Sequence, residues 1–140
     1  MYGININRWL LGGLVAGVIM WLAEGAASGL YMTDMEAAMA AHGLSMTTGT
    51  GTVLISLAVS LIAGLVLVFL YAAARSRFGP GPKTAAKMAV VMWLGGYLLS
   101  ILGYKMMGLF PDRMLMLWAV VGLAEMVVAS IVGAWIYHEK

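Results

Sequence analysis

The chain has 140 residues, 63% of them hydrophobic and only 10% charged, which leaves no room for a soluble domain. It contains no cysteine, so disulfides, thiolate metal sites and cysteine nucleophiles are excluded. The net charge of +2 is small and follows from an uneven distribution of basic residues, so it calls for no nucleic-acid partner.

Four apolar runs fill most of the chain, at residues 8–31, 52–74, 86–109 and 114–137. At 1.5 Å per residue each exceeds the roughly 30 Å hydrocarbon thickness of a bilayer. The runs are continuous and rich in Leu, Val, Ala and Gly, without the short alternating strands that a barrel needs. The expectation is an all-α polytopic membrane protein: a single transmembrane domain over residues 1–140, built as a four-helix bundle with a short outer-surface helix.

The first run follows Arg8 and ends near Gly25-Ala26-Ala27-Ser28, a layout shared with secretory signals, but it is read as a retained first helix. Next, Thr33-Asp34-Met35-Glu36 fits a capping box, which predicts a short helix through Ala37 to Ala41 that stops at Gly43. Met35 and Met39 share one face of it, placing it on the outer membrane surface. The second run leads into Arg75-Ser76-Arg77-Phe78-Gly79-Pro80-Gly81-Pro82-Lys83, where prolines fix φ and glycines allow the chain to reverse. Its spacing is not that of a phosphate-binding loop, and Arg75, Arg77 and Lys83 are read as lipid-headgroup contacts. Phe110-Pro111-Asp112-Arg113 is a tight turn between the last two runs.

Arg8, Arg75, Arg77, Lys83, Lys87 and Lys140 fall on one side of the membrane, and Lys105 and Arg113 on the other. Positive residues gather in the cytoplasm, so both termini are expected there. Trp9, Tyr71, Trp135 and Tyr137 are expected at the inner interface, and Tyr31, Tyr104 and Trp118 at the outer one. Trp9-Leu10-Leu11-Gly12-Gly13 and Trp93-Leu94-Gly95-Gly96 match at equivalent ends of runs one and three, hinting at a two-plus-two repeat.

Helices in lipid associate through small residues and polar contacts, and every run carries a stripe of them. The candidate packing residues are Gly13 and Gly17 in the first, Ser56, Ser60 and Gly64 in the second, Gly96 and Ser100 in the third, and Gly122 and Gly133 in the fourth. Two acids lie on these stripes, Glu24 and Glu125, each within Leu-Ala-Glu. An ionisable group near a helix centre costs about 2.5 to 3.5 kcal/mol on insertion scales, so it faces a partner or a cavity. Two roles stay open: a neutral acid that locks helix register, or a group that carries a proton or a ligand. Lys105 lies about 180° from Gly96 on a regular helix and is expected to snorkel to the outer interface.

Eight of the 13 methionines, Met32, Met35, Met39, Met46, Met106, Met107, Met114 and Met116, fall in outer-side segments. Thioethers favour Cu(I), but flexible apolar filling accounts for these residues, and no metal or other cofactor is expected. His42 is read as the basic end of the outer helix, and His138 lies in the tail. With no nucleophile arrangement, metal set or cofactor fingerprint, the chain is not expected to be an enzyme.

Leu70-Tyr71-Ala72-Ala73-Ala74-Arg75, Arg77 through Ala85, Gly108-Leu109-Phe110-Pro111, and Glu125 followed by Gly133-Ala134-Trp135-Ile136-Tyr137 together resemble a group of small four-helix bacterial inner-membrane proteins of unknown function. The resemblance covers the whole chain and implies the architecture and a bacterial cytoplasmic membrane, but no activity. The chain is also similar to small multidrug resistance transporters in its size, its four spans and its first-helix Leu22-Ala23-Glu24. It departs from them in its outer helix, its longer loops and its second glutamate. Two functional expectations follow. One is an accessory, packing or assembly subunit whose partners are membrane lipids and other membrane subunits or a second copy. The alternative is a dimeric proton-coupled carrier of a small molecule or ion using Glu24 and Glu125.

Overall fold

A computed structural model describes residues 3–138. The inner-side Lys140 lies outside them. The described residues form helices and no strand: α1 (Ile6–Ala27), α2 (Met32–Ala41), α3 (Thr50–Phe78), α4 (Pro82–Met92), α5 (Leu99–Met107) and α6 (Asp112–Ile136). A 3-10 turn, Ser28–Leu30, prolongs α1, and a π turn, Trp93–Leu98, joins α4 to α5 into one span. Four segments are thus long and apolar enough to cross a membrane, Ile6–Leu30, Thr50–Phe78, Pro82–Met107 and Asp112–Ile136. The chain is a multi-pass membrane protein.

Local chemistry sets the helix ends. Asn5 caps α1 by accepting from the Arg8 backbone N–H at 3.2 Å. The second span outruns its expected end, because Gly79, at φ +82°, is the first residue to leave the helix; its N–H still donates to the Arg75 carbonyl. Arg75 and Arg77 therefore belong to the last turn of α3, where they complement the helix dipole, and the loop shrinks to Gly79-Pro80-Gly81. Two side chains hold that loop: Tyr71 Oη accepts from Gly81 N–H at 3.0 Å, and Thr84 Oγ1 donates to the Gly79 carbonyl at 2.7 Å.

The capping box between the first two spans does not form. Helix α2 begins at Met32, so Thr33 sits inside the first turn, and the capping position belongs to Tyr31, whose carbonyl accepts from Met35 N–H at 2.9 Å. The buried Tyr31 ring anchors the turn from α1 into α2, which fixes the start of the helix earlier than the side-chain signal suggests. Helix α2 stops as expected at His42 and Gly43, the latter at φ +69°.

The spans run up and down, with α1 between α3 and α6, and α6 also packed on α4 and in touch with α3. Lipid-facing and inward faces divide by residue size. Ile55, Ile62 and Phe69 of α3 point outward, while Gly64 of the same helix lies against the backbone of Gly13 and Gly17. A Cβ on Gly17 would fall 2.6 Å from Leu61 Cα, and one on Gly12 would fall 2.7 Å from the Gly133 carbonyl oxygen. Glycine is what lets these three helices meet backbone to backbone.

The two ends of the bundle are tied separately. At the termini end Asn5 meets Tyr137 and His138, and Arg75 stacks 5.5 Å above the Tyr137 ring. Tyr71 and Tyr137 are buried here, edge to face, so they serve as core residues of this end rather than as interfacial belt; Trp135 is 78% exposed. At the other end Arg113 pairs with Asp34 at 2.9 Å and Lys105 with Asp112 at 2.7 Å. Lys105 thus keeps its place at that end and finds a carboxylate there.

Candidate functional site: an acidic cavity in the bundle

The third span breaks its regular register halfway. Over Trp93–Leu98 the backbone opens to a π turn, the wider i→i+5 geometry that recurs at functional sites. Gly95 and Gly96 lie in it, and a Cβ on either would meet nothing within 4 Å. A stripe counted at 3.6 residues per turn therefore fails across this point. Gly96 and Ser100 line an open space instead of a tight helix contact, and Ser100 Oγ donates back to the Gly96 carbonyl at 2.8 Å.

That space is a cavity of about 560 Å³, lined from all four spans. Met20 and Glu24 come from α1, Ser60 from α3, Met92, Tyr97 and Tyr104 from the third span, and Trp118, Glu125 and Met126 from α6. Because α1 and α6 are neighbours, the two glutamates reach one chamber, and Tyr97 lines the same chamber. Among the described residues no lysine, arginine or histidine lines it.

Each carboxyl group is incompletely partnered. Glu24 Oε1 accepts from the Tyr31 hydroxyl, but its Oε2 is buried without a partner, as is Oε2 of Glu125. The indole N–H of Trp118 is buried and unpartnered as well. Buried polar atoms are normally satisfied, so three orphans around one cavity need an explanation in terms of protons, water or a ligand. Trp118 is held by rings: Tyr31 at 5.6 Å, Phe110 at 5.4 Å and Tyr104 at 6.0 Å between centroids.

Among the sequence candidates, the structure brings Glu24, Glu125, Ser60, Gly96 and Ser100 to the cavity. Gly13, Gly17, Gly64, Gly122 and Gly133 lie at close approaches within the bundle. Ser56 stays exposed and accepts from Trp21 Nε1 at 3.0 Å. Arg75, Arg77 and Lys83 stand together at the termini end, with Arg77 and Lys83 exposed. Tyr97 and Trp118 also line the cavity, although the sequence reads Trp118 as interfacial and gives Tyr97 no role. The available signal for Tyr97 was a phenol directly after a mid-span Gly-Gly pair, a known place for a helix to break. Among the described residues no group of three or more His, Asp or Glu gathers as a metal set. The methionines expected on the outer side are scattered, with Met106 and Met116 exposed and Met114 in the core.

No protein-family model, curated protein or solved structure matches this chain.

Proposed function

We propose that the chain is a proton-coupled carrier of a small solute in a bacterial cytoplasmic membrane, with both termini in the cytoplasm. One observation carries this reading: two intramembrane glutamates from different helices share a cavity that no basic side chain lines among the described residues. A volume of about 560 Å³ suits a small molecule, within the roughly 300–1,000 Å³ of ordinary ligand sites. Protons and a solute would compete for the same carboxyl oxygens, which is the simplest way for one gradient to drive another. The break in the third span supplies a place for that helix to bend as the cavity changes sides. Arg75, Arg77 and Lys83 would rest on anionic headgroups of the cytoplasmic leaflet.

The test is reconstitution into liposomes containing a pH-sensitive dye, with gradients of cationic, neutral and anionic solutes imposed in turn. A solute-driven pH change is expected in the native protein and its loss in Glu24→Gln and Glu125→Gln. Unchanged fluxes in both folded variants, or no flux with any solute, would overturn the reading.

A second reading, an accessory or assembly subunit of a larger membrane complex, draws on a different observation. Gly25 and Gly29 lie one turn apart near the end of the first span, and a Cβ on either meets nothing. Such a bare strip would accept a helix from another subunit or a second copy. Mild-detergent purification from the native membrane decides it: stoichiometric partners support a subunit, and a lone chain or homo-oligomer removes it. Neither reading assigns a covalent reaction to the chain.

A further inference from the structure

The cavity is not sealed on its flank. Helix α3 packs on α4 below the π turn, yet makes little contact with α5 above it. Val59 and Ser60 of α3 and Ser100 and Tyr104 of the third span all border the cavity, and Val59, Ser100 and Tyr104 are exposed. In a bilayer an opening between two spans admits molecules that dissolve in lipid. The walls fit such a guest: mostly apolar, with Met20, Met92 and Met126 able to adapt their shape and three aromatic rings able to hold a cation.

The unpartnered atoms narrow the chemistry further. Once both glutamates have given up their protons they are acceptors only, so the two unpartnered carboxylate oxygens call for hydrogen-bond donors, and the one indole N–H calls for an acceptor. A quaternary cation offers charge but no donor, and a neutral apolar molecule offers neither. We infer that the cavity takes an amphiphilic amine: a primary or secondary ammonium head that donates N–H bonds to Glu24 and Glu125, joined to an aromatic body carrying an acceptor for Trp118.

This inference rests on the carrier reading for its purpose but is tested by equilibrium binding alone. The native chain is placed in lipid nanodiscs and titrated with three probes sharing one fluorophore: dansylcadaverine, its N-acetyl derivative, and its N-trimethylated form. Fluorescence anisotropy is read against empty nanodiscs. Dansylcadaverine should bind saturably, one per chain, and both modified probes about tenfold or more weakly, the cost of losing charge-assisted hydrogen bonds. The double variant Glu24→Gln, Glu125→Gln should lose about the same factor for dansylcadaverine, and Trp118→Phe about threefold, one neutral hydrogen bond. Equal binding of the acetylated probe would make the cavity a lipid or apolar site and overturn the inference. Equal binding of the trimethylated probe would refute the need for N–H donors, and absence of saturable binding would refute the ligand class. The probe comparison uses the unaltered chain, so it holds even where a variant fails to fold. Tight amine binding without amine-driven proton flux would overturn the carrier and leave the ligand class standing; proton flux with other solutes and no amine binding would do the reverse.

Discussion

The ring of Tyr97 occupies the space over Gly122 that any larger residue would need: a Cβ built on Gly122 falls 2.6 Å from Tyr97 Cζ. This contact couples the π turn of the third span to α6, one turn before Glu125. The bare glycine thus positions a phenol at the cavity wall.

Gly122→Ala should push the Tyr97 ring away, toward the cavity or toward lipid. Overpacking of this kind costs about 1–3 kcal/mol. Thermal unfolding in detergent should show the loss, and the companion Gly122→Ala, Tyr97→Leu should recover part of it. Additive effects of the two substitutions would refute the coupling.

Gly64 faces the Gly13 and Gly17 backbone, which no side-chain rearrangement can move aside. Gly64→Ala is expected to separate α3 from α1 and cost about 1–3 kcal/mol or more. Gly25→Ala and Gly29→Ala meet open space and should leave the isolated chain unchanged. Stability series in detergent test both statements. A Gly25 substitution that spares the purified chain but releases a partner in the native membrane would favour the subunit reading.

Ser130, 0% exposed, donates from Oγ to the Ala85 carbonyl at 2.8 Å and so joins α6 to α4. Hydrogen bonds between membrane helices are worth about 0.6 kcal/mol on average, because the unfolded reference also finds partners. Ser130→Ala should therefore cost about that much in steric-trap or denaturant unfolding. A loss several times larger would mean that the Ala85 carbonyl stays unsatisfied in the variant.

Orientation has a direct test, since the chain has no cysteine to interfere. Ser45→Cys, beyond α2, should react with a membrane-impermeant maleimide on intact cells. Ser76→Cys, in the last turn of α3, should react only after permeabilisation. The opposite pattern would invert the proposed topology.

Much of the architecture was readable from residues alone, because a bilayer imposes a length and a polarity on each span independently of its neighbours. The four runs and the stop at Gly79-Pro80-Gly81 have local causes, whereas Trp9 lies near the start of its span and Trp93 near the middle of its own, not at equivalent ends. The two indoles do play parallel parts: Trp9 Nε1 donates to the Leu65 carbonyl at 2.8 Å and Trp93 Nε1 to the Ala119 carbonyl at 2.9 Å, each reaching the span that follows. Their glycines diverge, however. Gly12 and Gly13 are clamped between helices, while Gly95 and Gly96 lie in the π turn beside open space.

The depth of Glu24 and Glu125 within their spans was likewise set by sequence position, as was the cost of placing them there. Only the tertiary structure decided that they share one chamber, because which helices become neighbours depends on glycine contacts such as Gly64 with Gly13 and Gly17, summed over the whole bundle. It also decided the cavity. A count at 3.6 residues per turn carries Gly96 and Ser100 into a packed seam, and the π turn, held by Tyr97 on Gly122 and Trp93 on Ala119, turns that seam into a chamber.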